Sequence, residues 1–240
     1  VQQALHGIAA SCWVVDNDTD PLLQQQLAAK HPWVHWICLQ DNIGFAKANN
    51  LALKQTNSQY VLFLNPDTLV QEDTLKGAID YLTNQPTVGA VGIQMHNGHQ
   101  QFLPESKRDR PTLMAAVFKL MGFAKRVPNS ALFNRYALGH LDKDSIHAVS
   151  VLAGAFMMLP TDLAKKLGGF DEAFFMYGED IDLSLRVLEL GFNVHYLGHL
   201  KMTHFKGASS AQDPAYLAHF YGSMIIFVEK YPDLYGGPLG

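Results

Sequence analysis

The 240-residue chain has only two cysteines, Cys12 and Cys38, and no Cys-x-x-Cys spacing, so neither a disulfide framework nor a thiolate metal site is written into it. Each lies in an apolar run (Cys12-Trp13-Val14-Val15 and Trp36-Ile37-Cys38-Leu39), where a thiol is expected to behave as a small buried hydrophobe. No stretch approaches 18 consecutive apolar residues, and the start, Val1-Gln2-Gln3-Ala4-Leu5-His6, has neither the basic nor the hydrophobic region of a signal peptide. A reduced, cytoplasmic setting is the expectation. Charge is scarce and nearly balanced: 18 Lys and Arg against 22 Asp and Glu give a net charge of −4, which offers no bulk electrostatic footprint for nucleic acid. Repeats and low-complexity tracts are missing, and the turn after the first strand reads Asp16-Asn17-Asp18-Thr19. A dinucleotide oxidoreductase would want Gly-x-Gly-x-x-Gly there.

What the chain has is enough apolar content, 48% of residues, for one sizeable core. Short apolar runs alternate with helical patterns in a βαβ manner, which predicts an α/β fold with a mostly parallel sheet flanked by helices. Strands are expected at residues 12–15, 34–39, 60–64 (Tyr-Val-Leu-Phe-Leu) and 151–159 (Val-Leu-Ala-Gly-Ala-Phe-Met-Met-Leu). Helices are expected at 20–30, with Leu22, Leu23 and Leu27 on one side, and at 45–54.

Acidic residues fall where such a fold binds ligands. Asp16 follows Val14-Val15, and Asp67 follows Leu62-Phe63-Leu64-Asn65-Pro66, so both stand just past the carboxyl end of a buried strand. Pro66 cannot donate to a ladder and holds Asn65 and Asp67 in a turn. A third group, Gly178-Glu179-Asp180-Ile181-Asp182, opens a helix in which Ile181, Leu185 and Leu188 recur before Gly191 as C-cap. Asp182 reads as a dipole-complementing cap. Glu179 and Asp180 follow a segment dense in aromatics, Phe170 to Tyr177, which reads as a pocket wall.

These residues carry a resemblance. The stretches Val14–Asp20, Asp41–Asn50, Leu64-Asn65-Pro66-Asp67-Thr68, Gly154–Met158 and Gly168–Arg186 are similar to motifs of the family 2 glycosyltransferases of GT-A fold, in the rhamnosyltransferase-like branch that builds cell-surface polysaccharides. The resemblance spans residues 12–207 and implies a single GT-A domain, with residues 1–100 binding a nucleotide-sugar donor and 101–240 carrying acceptor binding and chemistry. It implies that Asp16 accepts a hydrogen bond from a pyrimidine imide. The loop of Asn42, Gly44 and Asn49 lines the nucleoside, Gly44 permitting close backbone approach. Asn65-Pro66-Asp67 stands where the family has a metal-binding Asp-x-Asp, with Asn for the first Asp. Asp67 is then the direct ligand of Mg²⁺ or Mn²⁺. Asp180 is the implied catalytic base with Glu179 beside it, and His204, 24 residues on, completes the metal site or touches the diphosphate. The implied reaction is inverting transfer from dTDP-rhamnose or a UDP-sugar to a hydroxyl of a saccharide or lipid-linked acceptor, at the inner face of the plasma membrane.

Several features stand outside the pattern. The family's first strand is not found before Val1, so either upstream residues supply it or the nucleotide pocket is incomplete. Residues 101–143 match no motif and hold eight Lys and Arg against three Asp and Glu; Leu113, Val117, Leu120, Met121 and Ala124 can share a helical face beside Lys119, Lys125 and Arg126. Such a helix either packs on the core, the favoured reading, or touches an anionic membrane. Lys47, Arg186 and Lys206 are candidate phosphate contacts or plain surface charges. A non-catalytic nucleotide-sugar-binding module is an alternative, as is a sugar-phosphate nucleotidylyltransferase, although the Gly-rich, Arg-containing loop of the latter is not seen.

Overall fold

The computed structural model describes residues 1–17, 21–111, 136–205 and 215–236. Strands β1 (Cys12–Asn17) and β2 (Val34–Leu39) pair in parallel across helix α1 (Pro21–Lys30) and form a two-stranded sheet. Helix α2 (Phe45–Gln55) leads into the main sheet. Its strands are β3 (Tyr60–Leu64), β4 (Thr68–Val70), β5 (Val88–His96), β6 (Ile146–Ala148), β7 (Phe156–Pro160) and β8 (Asn193–His204). The order is β3-β7-β5-β8-β4, with β6 on β8. Helix α3 (Thr74–Asn84) precedes β5; α4 (Thr161–Lys166) and α5 (Glu179–Glu189) lie between β7 and β8; α6 (Tyr216–Lys230) and α7 (Asp233–Gly236) follow.

The expected α/β architecture holds, but the main sheet is mixed rather than mostly parallel. Only β5 and β8 run parallel in it, while β3–β7, β5–β7, β4–β8 and β6–β8 are antiparallel. The cause is local: Leu64 pairs with Phe156, so β7 starts where β3 ends and runs back along it. A continuous apolar run reports that both faces are covered, not which way its neighbour points. Two cores cover the sheet. On one face Ala46, Leu53, Phe63, Leu163, Leu183 and Val187 bring α2, α4 and α5 against it. On the other Leu75, Ala78 and Leu82 of α3 meet Val91, Ile93 and Met95 of β5.

Three local expectations fail. The apolar run at 151–159 is strand only from Phe156; Val151 makes an isolated bridge to Arg108, and residues 152–155 form a loop. Gly154 interrupts the run, and the loop's backbone is engaged elsewhere, as described below. Leu22 and Leu23 of α1 are exposed, because α1 covers only the edge of the two-stranded sheet. Both cysteines are free, but Cys12 is half-buried and Cys38 is exposed on β2, whose outer positions lack a covering layer. The helical stretch expected around residues 113–124 and the contacts expected of Lys206 lie outside the described residues.

Candidate active site

The first acid comes from β1. Asp16 is 8% exposed on that strand and pairs in register with Cys38 of β2. The next residue, Asn17, was not anticipated and binds the following loop. Its Nδ2 donates to Asn42 Oδ1 at 2.8 Å and to the Gly44 carbonyl at 3.3 Å, and its Oδ1 accepts from Ile43 N–H at 2.9 Å. Asn42 Oδ1 also accepts from Gly44 N–H at 3.0 Å. A side-chain amide that donates and accepts at once is suited to lock a loop on a strand end.

Gly44 sits at φ +88°, and a Cβ there would lie 2.6 Å from the Phe175 carbonyl oxygen, so both its conformation and its contact demand glycine. The close approach the sequence suggested is therefore made by the chain's own aromatic loop. Phe45 N–H donates to that same carbonyl at 2.7 Å. Asn49 is tied to its own helix, donating to the Phe45 carbonyl at 2.9 Å. Its neighbour Asn50 is the buried one. It donates to the Phe170 carbonyl (2.8 Å) and Glu172 Oε1 (3.1 Å) and accepts from Phe170 N–H (2.9 Å), fixing the loop before Glu179. Phe170 and Phe174 are buried core residues rather than a pocket wall, Phe170 packing on Phe45 and Phe63.

The second acid sits at the end of β3. Asn65 N–H donates to the Ala155 carbonyl at 3.1 Å, and its side-chain Oδ1 is buried without a hydrogen-bond partner. Asp67 is held by pairing of β4 with the end of β8, where Thr68 is in register with His204 and Phe205 N–H donates to the Asp67 carbonyl at 2.9 Å. The result is that His204 Nε2 lies 3.1 Å from Asp67 Oδ1, with His204 Nδ1 buried and unpartnered. Two residues 137 positions apart thus meet, as the family resemblance implied. Among the described residues no group of three His, Cys, Asp or Glu side chains stands ready for a metal, so Asp67 and His204 would need Asn65 Oδ1, substrate oxygens or water to complete a shell.

The third group opens α5. Asp180 Oδ2 accepts from Arg108 Nη2 at 2.6 Å and from Gly154 N–H at 3.0 Å, while Oδ1 accepts from Ile181 N–H at 2.8 Å. Arg108 was not anticipated; it lies in the segment that matched no motif. Burial would weaken its hold on a proton, but the Asp180 carboxylate more than offsets this, and Arg108 stays firmly cationic. Glu179 is buried, its Oε2 has no hydrogen-bond partner, and its carboxyl is pushed up to about 8 by burial first and by the Asp180 charge second. Asp182 is not a cap. Fully buried, it accepts from Arg186 Nε (2.7 Å) and the Tyr231 hydroxyl (2.7 Å) and lies 2.6 Å from Lys230 Nζ, riveting α6 to α5. Arg186, which also donates to the Leu167 and Gly169 carbonyls, is structural and not a phosphate contact, whereas Lys47 is exposed.

One loop joins two of the three acids. Ala155 binds the turn that carries Asp67, and the adjacent Gly154 binds Asp180. The loop of Asn42 and Gly44 is joined through Phe175, four residues before Glu179.

The family described as glycosyltransferase like family 2 matches residues 12–215. The chain is similar to the N-acetylglucosaminyl-diphospho-decaprenol L-rhamnosyltransferase of Mycobacterium tuberculosis, 23% identical over 95% of this chain and 78% of that protein. It is also similar to the rhamnosyltransferase WbbL of Escherichia coli, 26% identical over 80% of this chain and 72% of that one. The solved structure of GalNAc-T7 with UDP, GalNAc and Mn²⁺ shares the fold, with a TM-score of 0.66 and 12% identity over 93% of this chain; the chain spans only 42% of that structure's length. With the family matched across most of its length and the GT-A fold shared with solved transferases, the chain belongs to the family 2 glycosyltransferases.

Proposed function

We propose that this chain transfers a sugar, with inversion at the anomeric carbon, from dTDP-rhamnose or a UDP-sugar to a hydroxyl of a saccharide or lipid-linked acceptor in cell-surface polysaccharide assembly. The observation that carries the reading is the 152–155 loop, which ties the Asp67 turn and the Asp180 carboxylate together. Such coupling suits a reaction in which the diphosphate leaves from one side of a sugar while an alcohol attacks from the other. The names of the relatives support rhamnose and a lipid-linked acceptor, and the latter supports action at the inner face of the plasma membrane.

Asp16 is assigned to the pyrimidine imide, as a buried carboxylate at a strand end can accept from its N–H. Asn42 and Gly44, braced by Asn17, form the nucleoside loop. Residues 1–100 act as the donor half, which His204 completes from the other half of the chain. Asn65 Oδ1, Asp67 and His204 fit a divalent cation of the Mg²⁺ or Mn²⁺ type: two hard oxygen donors and one imidazole, with Asn65 Oδ1 buried and otherwise unpartnered and His204 Nε2 3.1 Å from Asp67 Oδ1. A bound ion there would neutralise charge on the leaving diphosphate.

The chemistry falls to Asp180. Its carboxylate takes the acceptor hydroxyl's proton as the alcohol oxygen bonds to the anomeric carbon and the bond from that carbon to the diphosphate oxygen breaks. Glu179, neutral around pH 7, can donate a hydrogen bond to the acceptor without competing for its proton. Calorimetry and turnover test these roles. Asp180→Asn should abolish transfer while donor affinity changes less than about threefold, under about 0.7 kcal/mol. Loss of donor affinity in step with activity contradicts the role of base. A binding module without catalysis would show donor binding but no donor turnover in the unaltered protein.

A further inference from the structure

The base identified above is not free in the cleft; an arginine from a distant part of the chain holds it. Arg108 is itself fixed twice. Its backbone bridges Val151 from both sides, Arg108 N–H donating to the Val151 carbonyl at 3.2 Å and Val151 N–H to the Arg108 carbonyl at 3.0 Å. Its Nη2 donates to the Leu152 carbonyl as well as to Asp180, and its Nη1 lies 3.3 Å from the Tyr136 hydroxyl. The guanidinium therefore spans the gap between the 152–155 loop and the first turn of α5.

A carboxylate oxygen offers two lone-pair sites. Oδ2 of Asp180 fills both, with Arg108 and Gly154 N–H, whereas among the described residues Oδ1 accepts only from Ile181 N–H, which leaves its second site open. We propose that Arg108 is a positioning residue for glycosyl transfer: by clamping Oδ2 it fixes the rotation of the Asp180 carboxylate and leaves Oδ1 as the atom that takes the acceptor proton. This rests on the reading of Asp180 as base. It assigns a task to the charged, motif-free segment, and it explains why residues 152–155 form a loop and not the continuous strand their apolar character suggests. The Leu152 carbonyl and the Gly154 N–H face the clamp rather than a neighbouring strand. Nη2 reaches both the Leu152 carbonyl and the carboxylate while Nη1 of the same planar group reaches the Tyr136 hydroxyl, a rigid spread of donors that the single ammonium of Lys cannot reproduce.

Turnover of dTDP-rhamnose and UDP-GlcNAc by water in the presence of Mn²⁺, read as released nucleoside diphosphate, serves as the assay. Arg108→Ala should lower kcat about 100-fold, the scale of a small misplacement of a reacting group, with donor KM changed less than threefold. Added guanidinium should restore at least part of kcat by refilling the clamp, where equal urea or NaCl does not. Arg108→Lys, which keeps the charge and loses the fork, should fall between the two, and it carries the test if Arg108→Ala does not fold. In an Asp180→Asn background neither substitution should lower the residual rate further, since Arg108 acts through that carboxylate. Losses that multiply in the double variant, or a donor KM that rises as kcat falls, overturn the inference alone. Full activity of Asp180→Asn, or no turnover of either donor, overturns the reading beneath it.

Discussion

Glu179→Gln separates the charge on the buried acid pair from everything else in the fold. In the unfolded chain this carboxyl loses its proton near 4.5, but in the folded protein it keeps it to about 8. Between those values the native state holds a proton that the unfolded state has released, so the contribution of Glu179 to stability is least unfavourable below about pH 4.5. It worsens as pH rises towards 8 and is constant above that. Glutamine cannot ionise and is spared this loss. Each unit of the shift corresponds to about 1.4 kcal/mol, and about 1 kcal/mol moves the melting temperature of a chain of this size by about 2–4 °C. The amide will itself cost about 1–3 kcal/mol where Glu179 Oε2 now lacks a partner, but that cost does not vary with pH. The quantity to measure is therefore the difference in Tm between variant and unaltered protein at pH 5 and at pH 9, by scanning calorimetry. The variant should gain at least about 3–6 °C relative to the parent across that interval, the effect of a single realised unit. Two melting profiles that stay parallel with pH would refute the argument that burial beside Asp180 holds Glu179 neutral.

Other consequences are as direct. Asn50→Ala leaves the buried N–H and carbonyl of Phe170 unpaired and should cost about 2–5 kcal/mol, seen as a lowered denaturation midpoint without change in m-value. Gly44→Ala forces a side chain into a φ of +88° against the Phe175 carbonyl, so donor affinity by calorimetry should fall at least about tenfold, the cost of about 1–2 kcal/mol of left-handed backbone before the clash is counted. His204→Ala and Asp67→Ala should each reduce the gain in donor affinity that Mn²⁺ confers while leaving metal-free binding near its original level; equal losses with and without the ion would assign the pair to the fold instead.

Much of the architecture was legible in the chain because burial on both faces leaves long apolar runs, as at residues 60–64, and because Pro66 and Gly178 punctuate the points where strands and helices turn over. Asp16, Asp67 and Asp180 could be found as acids placed at those points. Partnerships made across the sequence were not legible. Nothing in the spacing couples Arg108 to Asp180, 72 residues away, or Asp182 to Tyr231, and a short polar residue such as Asn17 or Asn50 reads as turn or helix surface until its neighbours are known. Strand direction was hidden for a different reason. Periodicity records which faces are covered, and the antiparallel return of β7 along β3 leaves the same apolar signature as a parallel neighbour. β8 escaped notice because its apolar positions are mixed with His, Lys and Asn, and because its register against β5 shifts between Ile93 and Gln94. His204 was identified only through resemblance, yet its contact with Asp67 follows from the pairing of β4 with the end of that strand.

The account turns on a single displacement, with one carboxylate opposite the departing diphosphate. Proton NMR of the sugar first released when the protein turns over an anomerically pure nucleotide-sugar with Mn²⁺, recorded before mutarotation, tests this most directly. Release of the anomer opposite to that of the donor is the predicted result; a sugar freed with the donor's own anomeric configuration would contradict the account.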